Sequence, residues 1–405
     1  MDIQKALSTG IAHHNSGQLK EAERIYRDIL KVANTHPIAL TLLAKLSFTN
    51  GKYNEVKKIL PIVLKHYPEY MKAHVLAGDY YSQANEYDIA GKAYRRAILL
   101  YPSQAATLIS LGNLIQSNSL QDDKLLSILR CLYRKASIIE PASIPALNNL
   151  AAIHLKLKEP YEALKTLNFI FEVDPHNIRS LAYKTIALMG ADEESKVDYL
   201  VGFGDLVKSR LLEIDEKLGG ISRFNSKLRE VLKRHPNRTS EWDPTQRAIR
   251  GGAIVPRLFE YQDPILDILK LSLEKTINQY ISELPSDRNH PFLAIKPNKY
   301  SIDIWANFLG PTNYQSGHIH NKGWLSGVFY VNTYEGNGRE SDPTAGWIEF
   351  NRPGYGLPCL GGEKFIRKIK PEPGLVVLFP SYVWHGTIPF SDEGERISIA
   401  FDVHI

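Results

Sequence analysis

Gly17-Gln18-Leu19-Lys20-Glu21-Ala22, Gly51-Lys52-Tyr53-Asn54-Glu55-Val56 and Asn85-Glu86-Tyr87-Asp88-Ile89-Ala90 stand 34 residues apart, and this recurrence decides the first half of the fold. Two of these polar marks follow runs with helical apolar periodicity, Ala39-Leu40-Thr41-Leu42-Leu43-Ala44 and Ala73-His74-Val75-Leu76-Ala77-Gly78. A second mark keeps the same phase. His36-Pro37, Tyr67-Pro68, Tyr101-Pro102, Glu140-Pro141 and Asp174-Pro175 recur at spacings of 31, 34, 39 and 34 residues. The residue before a proline is pushed out of the helical region, so each X-Pro reads as a boundary where a helix stops. The unit is helix, polar turn, helix, stop. One such pair cannot bury its apolar face alone, and stacked neighbours supply the missing core. The five extra residues before Pro141 are assigned to a longer helix or loop in the fourth repeat, where 118–124 is mostly polar.

This segment resembles the tetratricopeptide repeat (TPR) family, with about five repeats over residues 1–190. The resemblance implies a concave surface that holds a protein or peptide, with self-association or rigid spacing as the alternative. His13, His14 and the tyrosines read as surface and inter-helix packing. Residues 191–235 still read as helical but lose the period, and are taken as a linker.

Residues 236–405 form the other domain. From about residue 296 the apolar period changes to two. Short β-branched and aromatic runs appear at 302–305, 325–331, 346–350, 375–379 and 397–401, separated by turns such as Arg352-Pro353-Gly354. Many short strands of this kind predict a sandwich or barrel, and a double-stranded β-helix (jelly roll) is the small architecture that fits. The helical stretch 266–284 is expected to flank a sheet. The expected fold class is therefore multidomain, an all-α solenoid followed by a jelly roll with flanking helices.

Composition narrows the function only by exclusion. Hydrophobic content of 43%, charged content of 23% and a formal charge of +5, with the signs interspersed, give no nucleic-acid footprint. Cys131 and Cys359 lie far apart, which argues against a disulfide framework and for a reducing compartment. The first residues lack the build of a signal peptide, and no run of about 18 apolar residues could span a bilayer. The expectation is a cytoplasmic chain with no membrane or nucleic-acid partner. Its oligomeric state stays unassigned. The sequon Asn237-Arg238-Thr239 reads as accidental.

The chemistry concentrates in four residues. His318 and His320, spaced i, i+2, would share one face of a strand and could share a metal. His385 follows the apolar run 375–379, and Arg396-Ile397-Ser398 begins eleven residues later. In that last strand Arg396, Ser398, Ala400 and Asp402 face one way. A buried arginine demands an anionic partner, and a guanidinium forks onto a carboxylate. A His-x-His pair alone fits a structural or zinc site better than an oxygenase, but His385 and Arg396 at these offsets reverse that balance. Trp305, Trp324, Trp347 and Trp384 read as core or cavity wall, and Asp402 and His404 as surface.

Gly317-His318-Ile319-His320-Asn321-Lys322-Gly323-Trp324-Leu325-Ser326-Gly327-Val328-Phe329-Tyr330-Val331, Gly346-Trp347-Ile348-Glu349-Phe350 and Leu378-Phe379-Pro380-Ser381-Tyr382-Val383-Trp384-His385, followed by Arg396-Ile397-Ser398-Ile399-Ala400-Phe401, resemble the 2-oxoglutarate/iron(II) oxygenase superfamily. More narrowly they resemble its bacterial TPR-linked group, over roughly residues 220–405. The resemblance implies that His318 and His385 bind Fe(II). It implies that Arg396 holds the distal carboxylate of 2-oxoglutarate with Ser398 and Tyr330, and that Ser326 and Asn307 also serve the cosubstrate. Gln315, like Asn307, either meets the C1 carboxylate or pairs with backbone. The superfamily uses a His-x-Asp/Glu…His set, whereas this sequence has His320 in the carboxylate's place. Either His320 is the third ligand, which strand geometry favours, or Glu349 or Asp342 completes the set. The implied reaction consumes O₂ and 2-oxoglutarate, yields succinate and CO₂, and hydroxylates a C–H bond of a protein or peptide brought by the repeats. Two other functions stay open: a binding scaffold with a degenerate barrel, and a hydroxylase of small molecules.

Overall fold

The computed structural model describes residues 1–118, 122–241, 248–333, 342–391 and 394–405, so the polar stretch 118–124 falls partly outside the described residues. Two compact units divide the chain, Met1–Leu150 and Ala151–Ile405. The first is built from helix pairs: α1 (Ile3–Asn15) with α2 (Leu19–Val32), α3 (Pro37–Thr49) with α4 (Tyr53–His66), α5 (Met71–Gln83) with α6 (Tyr87–Leu100), and α7 (Ala105–Asn118) with α8 (Asp123–Ile139). Helix α9 (Ile144–Lys156) crosses the division. The second unit continues with α10 (Pro160–Val173), α11 (Ile178–Gly190) and α12 (Glu194–Val201).

The polar marks sit at the turns. Gly17, Gly51 and Asn85 adopt left-handed backbone at φ 77°, 72° and 61°, and so do Lys158 and Asp192 at 58° and 61°. The 73 residues from Asn85 to Lys158 are two periods plus the five extra residues. The helical period thus runs on through α12, past the point where it fades from the sequence. Lys158 and Asp192 hide it because glycine is only the easiest residue in that conformation. The X-Pro marks differ among themselves. Pro68, Pro102, Pro141 and Pro175 follow the C-caps Tyr67, Tyr101, Glu140 and Asp174, but Pro37 opens α3 as its first residue. Proline is tolerated there because its missing N–H has no intrahelical partner to lose.

Packing inside the pairs uses a small residue against a large one. Gly10, Gly78 and Gly112 face Tyr26, Tyr94 and Tyr133, and a Cβ on these glycines would lie 2.7, 2.4 and 2.6 Å from a ring carbon. At the equivalent places the second pair has Ala44 and Leu60, and the fifth has Ala151 and Leu167, all buried. The tyrosine hydroxyls stay satisfied: Tyr94 donates to Asp79 Oδ1 (2.7 Å) and Tyr133 to Asn113 Oδ1 (3.0 Å). Helix α8 has 17 residues against 14 in α2, α4 and α6, and the additional turn precedes its tyrosine.

The second unit adds α13 (Gly220–Arg234), α14 (Pro264–Glu283) and the strands β1 (Lys208–Leu211), β2 (Ile249–Arg250), β3 (Ala253–Val255), β4 (Ser301–Leu309), β5 (Tyr314–Gln315), β6 (Leu325–Asn332), β7 (Ile348–Phe350), β8 (Arg367–Ile369), β9 (Leu375–Pro380), β10 (His385–Thr387) and β11 (Arg396–His404). The large sheet has the order β1-β9-β6-β11-β4-β3, and smaller sheets pair β10-β7-β8 and β2-β5, all antiparallel. The strands thus lie in separate sheets with no closed barrel, and a strand-rich region follows the helical repeats as the sequence pattern indicates. Strand β1 also falls inside the stretch expected to be a helical linker. Four residues paired to the edge of β9 leave too short a pattern to compete with the helical runs around them.

Buried aromatic polar groups tie the sheets to the helices of the same unit. The Trp384 indole N–H donates to Ala182 O in α11 (2.9 Å), Tyr382 to Leu200 O in α12 (2.6 Å), and Tyr280 of α14 to Leu206 O (2.6 Å). Each bond satisfies a polar atom that burial would otherwise leave unpaired. Helices α11 and α12 are therefore structural parts of the strand-rich region. No helix among the described residues is long and apolar enough to cross a membrane.

Candidate active site

Three rows of side chains cross the face of the large sheet. Register aligns Asn307, Ser398 and Tyr330 in one row, Trp305, Ala400 and Val328 in the next, and Asp303, Asp402 and Ser326 in the third, with Arg396 at the end of β11 beside Leu309. Alternation along β11 puts Arg396, Ser398, Ala400 and Asp402 on this face.

The histidines approach from the other side. His318 N–H donates to His385 O (3.0 Å) and His385 N–H to His318 O (3.1 Å), while His320 N–H donates to Ser381 O (3.0 Å). This short antiparallel pairing sets the 318–320 segment beside 381–385 and brings the imidazoles together. Ring centroids are 4.2 Å apart for His318 and His385, 5.1 Å for His318 and His320, and 4.9 Å for His320 and His385. Gly317 lets the backbone of 352–354 pass close to the His318 segment, because a Cβ there would lie 2.6 Å from Arg352 O.

Each Nδ1 is committed to an oxygen. His318 Nδ1 lies 2.8 Å from Ser316 O, His385 Nδ1 lies 3.0 Å from Val383 O, and His320 Nδ1 bonds Asp402 Oδ1. A carbonyl can only accept, so in His318 and His385 the proton sits on Nδ1 and Nε2 keeps its lone pair. Burial pushes His318 down to about 3, helped by the charge of His320. Burial, with His318 and His320 adding, likewise holds His385 well below its ordinary value. His318 and His385 are therefore neutral at physiological pH. His318 Nε2 and His320 Nε2 stand 3.1 Å apart. When His320 carries only its Nδ1 proton, two lone pairs face each other there, an arrangement that a metal ion bound by both relieves. The ligand atoms of all three residues fall within 4.8 Å of one another.

Next to this cluster lies a buried cation. Arg396 is 1% exposed, and its Nη1 donates to Thr387 Oγ1 (3.0 Å) and its Nη2 to Tyr330 Oη (3.4 Å). The guanidinium carbon stands 5.0 Å from the Tyr330 ring centroid, a cation–π distance. No carboxylate pairs with Arg396 among the described residues, and Arg396 Nε, Ser398 Oγ and Asn307 Nδ2 are buried without a partner. Buried polar atoms are rarely left unpaired, and Arg396, the one of these three residues that lines the space beside the histidines, marks a place for an anionic ligand. Gln315, His318, His320, Val328, Tyr330, Ile348, Phe379, His385, Thr387 and Arg396 line the space between. It measures about 20 Å³, room for one water.

Residues 303–402 match the family described as "Putative 2OG-Fe(II) oxygenase", and residues 72–104 match the family described as "Tetratricopeptide repeat". A tetratricopeptide-repeat region thus precedes a region similar to 2OG-Fe(II) oxygenases. The oxygenase match runs from β4 to β11 and takes in the three histidines, Arg396 and Ser398. Among solved structures, PilF of Pseudomonas aeruginosa is 15% identical, covering 48% of this chain and 86% of that chain at a TM-score of 0.43. TTC0263, a thermophilic TPR protein of Thermus thermophilus, is 17% identical, covering 46% and 99% at 0.36. YrrB, described as a TPR protein with an unusual peptide-binding site, is 14% identical, covering 44% and 90% at 0.36. No curated protein matches the chain.

Several expected residues stand elsewhere. Ser326 Oγ donates to Asp402 Oδ1 (2.7 Å) and lies 2.8 Å from Ser381 Oγ, so its hydroxyl is occupied away from the cavity. Glu349, an alternative iron ligand, pairs with Arg352 Nε (2.9 Å), and Asp342 accepts from the Thr344 N–H and hydroxyl (2.7 and 2.6 Å). Neither reaches the histidine cluster. Asp402, read as surface, is 9% exposed and bonds His320. Only the alternation along β11 hinted at it, and nearness to the chain end outweighed that hint.

Proposed function

We propose that the chain is an Fe(II)- and 2-oxoglutarate-dependent dioxygenase that hydroxylates a protein or peptide recruited by its helical repeats. One observation carries the reading: three imidazoles whose Nδ1 atoms are engaged turn their Nε2 atoms toward a common point beside a buried guanidinium that has no carboxylate partner among the described residues. Three imidazoles suit a first-row divalent metal, iron included. His318, His320 and His385 would hold it through Nε2, leaving positions open. Arg396 would take the distal carboxylate of 2-oxoglutarate with a two-pronged bond, and Ser398 Oγ and Asn307 Nδ2 would gain partners from the same molecule. Against three neutral rings the dianionic cosubstrate balances the metal charge.

Bound iron supplies the redox chemistry with O₂. The balance is 2-oxoglutarate plus O₂ plus R–H giving succinate, CO₂ and R–OH. This chain's own residues orient and exclude: Tyr330 and Thr387 fix the guanidinium, and Val328, Ile348 and Phe379 keep water from the reacting centre. Seating a five-carbon diacid in so narrow a space requires the lining side chains to draw apart. The repeats enter as the partner-holding part, since stacked helix pairs build extended concave surfaces.

Anaerobic titration of the purified chain with Fe(II) and 2-oxoglutarate tests the reading. The expected result is a weak visible charge-transfer band, followed on aeration by succinate equal to the 2-oxoglutarate consumed. No band and no succinate would end the oxygenase reading and leave a binding scaffold.

A further inference from the structure

Asp402 sits one hydrogen bond behind His320. Its Oδ1 accepts from His320 Nδ1 and from Ser326 Oγ (2.7 Å). Ser326 has a single proton and gives it to Asp402, so Ser381 must donate across the 2.8 Å contact between the two hydroxyls. The chain Ser381, Ser326, Asp402, His320 therefore runs in one direction and ends on a ring nitrogen. Asp402 is also enclosed. A Cβ on Gly323 would meet Ser381 Oγ at 2.7 Å and Asp402 Cβ at 3.2 Å, so glycine there leaves room for the arrangement. His318 and His385 give their Nδ1 protons to neutral carbonyls, and His320 alone gives its proton to a carboxylate.

We propose that Asp402 is a positioning residue that makes His320 an electron-rich ligand, displacing to one bond behind the metal the negative charge a directly bound carboxylate would bring. The inference rests on the metal-site reading above. A carboxylate accepting from Nδ1 fixes the tautomer with Nε2 toward the metal and raises the basicity of the ring. Loss of such a partner weakens metal affinity by about 10–100-fold. The two hydroxyls hold the carboxylate so that it does not turn away.

The test is Co(II) binding to the full chain, read by the dissociation constant and the visible absorption of the bound ion, without any turnover. Asp402→Asn keeps the volume and an acceptor but removes the charge. The expected result is a dissociation constant raised about 10–100-fold with a shifted Co(II) band, at an unchanged melting temperature of the metal-free chain. In a His320→Asp background no imidazole remains for Asp402 to hold, so the same substitution should cause no weakening. Unchanged affinity in the single variant, or equal weakening in both backgrounds, overturns the proposal. Should Asp402→Asn fail to fold, Ser326→Ala carries the test, with a rise of about threefold or more expected and none contradicting it. A wild-type chain that binds no Co(II) would overturn the metal-site reading itself.

Discussion

Arg396 carries the claim for an anionic cosubstrate, because a guanidinium at 1% exposure beside two hydroxyls, with no carboxylate among the described residues, is an incomplete site. Hydrogen bonds to charged groups contribute about 1.5–3 kcal/mol each, so Arg396→Met should raise the 2-oxoglutarate concentration for half-maximal succinate formation by about 100-fold or more. Metal affinity measured without cosubstrate should barely move, and an unchanged 2-oxoglutarate requirement would show that the clamp lies elsewhere. His318 predicts a pH effect. Its folded value of about 3 lies below the ordinary 6.5, so the unfolded chain binds the proton more readily between those limits. Its share of stability is complete above pH 6.5 and is lost as the pH falls toward 3. Urea midpoints of the metal-free chain should therefore fall more steeply over that window in wild type than in His318→Asn; parallel profiles would contradict the burial argument. The meeting of His318, His385 and Arg396 around one space was legible because each belongs to a short local pattern. Asp402 was not, because its meaning lies in a bond to a residue 82 positions away.

Among the elements, the helix pairs depend on matched sizes, glycine with tyrosine or alanine with leucine. Gly78→Ala would set a methyl 2.4 Å from the Tyr94 ring, an overpacking change that costs about 1–3 kcal/mol. Adding Tyr94→Leu recreates the pairing of Ala44 with Leu60 and should recover most of that loss in thermal unfolding. A double variant less stable than the single one would show that the two positions do not share the space. The helices could be read in advance since a 34-residue period survives any one substitution, and β4, β6, β9 and β11 since six to nine residues of alternation are enough to see. Strand β7 showed in the run 346–350, whereas β8 and β10, three residues each, owe their conformation to partners across the sheet and carry little pattern of their own. The open edges of the sheets were equally hidden, because closure depends on strand order rather than on any local run.

For the whole molecule, the division of labour does not follow the fading of the repeat pattern. Ala182 and Leu200 accept the Trp384 and Tyr382 bonds on either side of Val383, immediately before His385, so α11 and α12 support the site. Deleting 1–190 should therefore abolish Co(II) binding and 2-oxoglutarate consumption together. Deleting 1–143 should preserve both while losing turnover of a protein substrate; equal damage from the two deletions would contradict this assignment. The repeat pattern told that helices stack, but it could not tell which of them the strands lean on, because those bonds join residues about 200 positions apart. The most direct test of the central claim is anomalous diffraction at the iron edge from crystals of the full chain equilibrated anaerobically with Fe(II). The account predicts one peak within bonding distance of His318, His320 and His385 Nε2, and a peak elsewhere, or one touching fewer than three of these nitrogens, would contradict it.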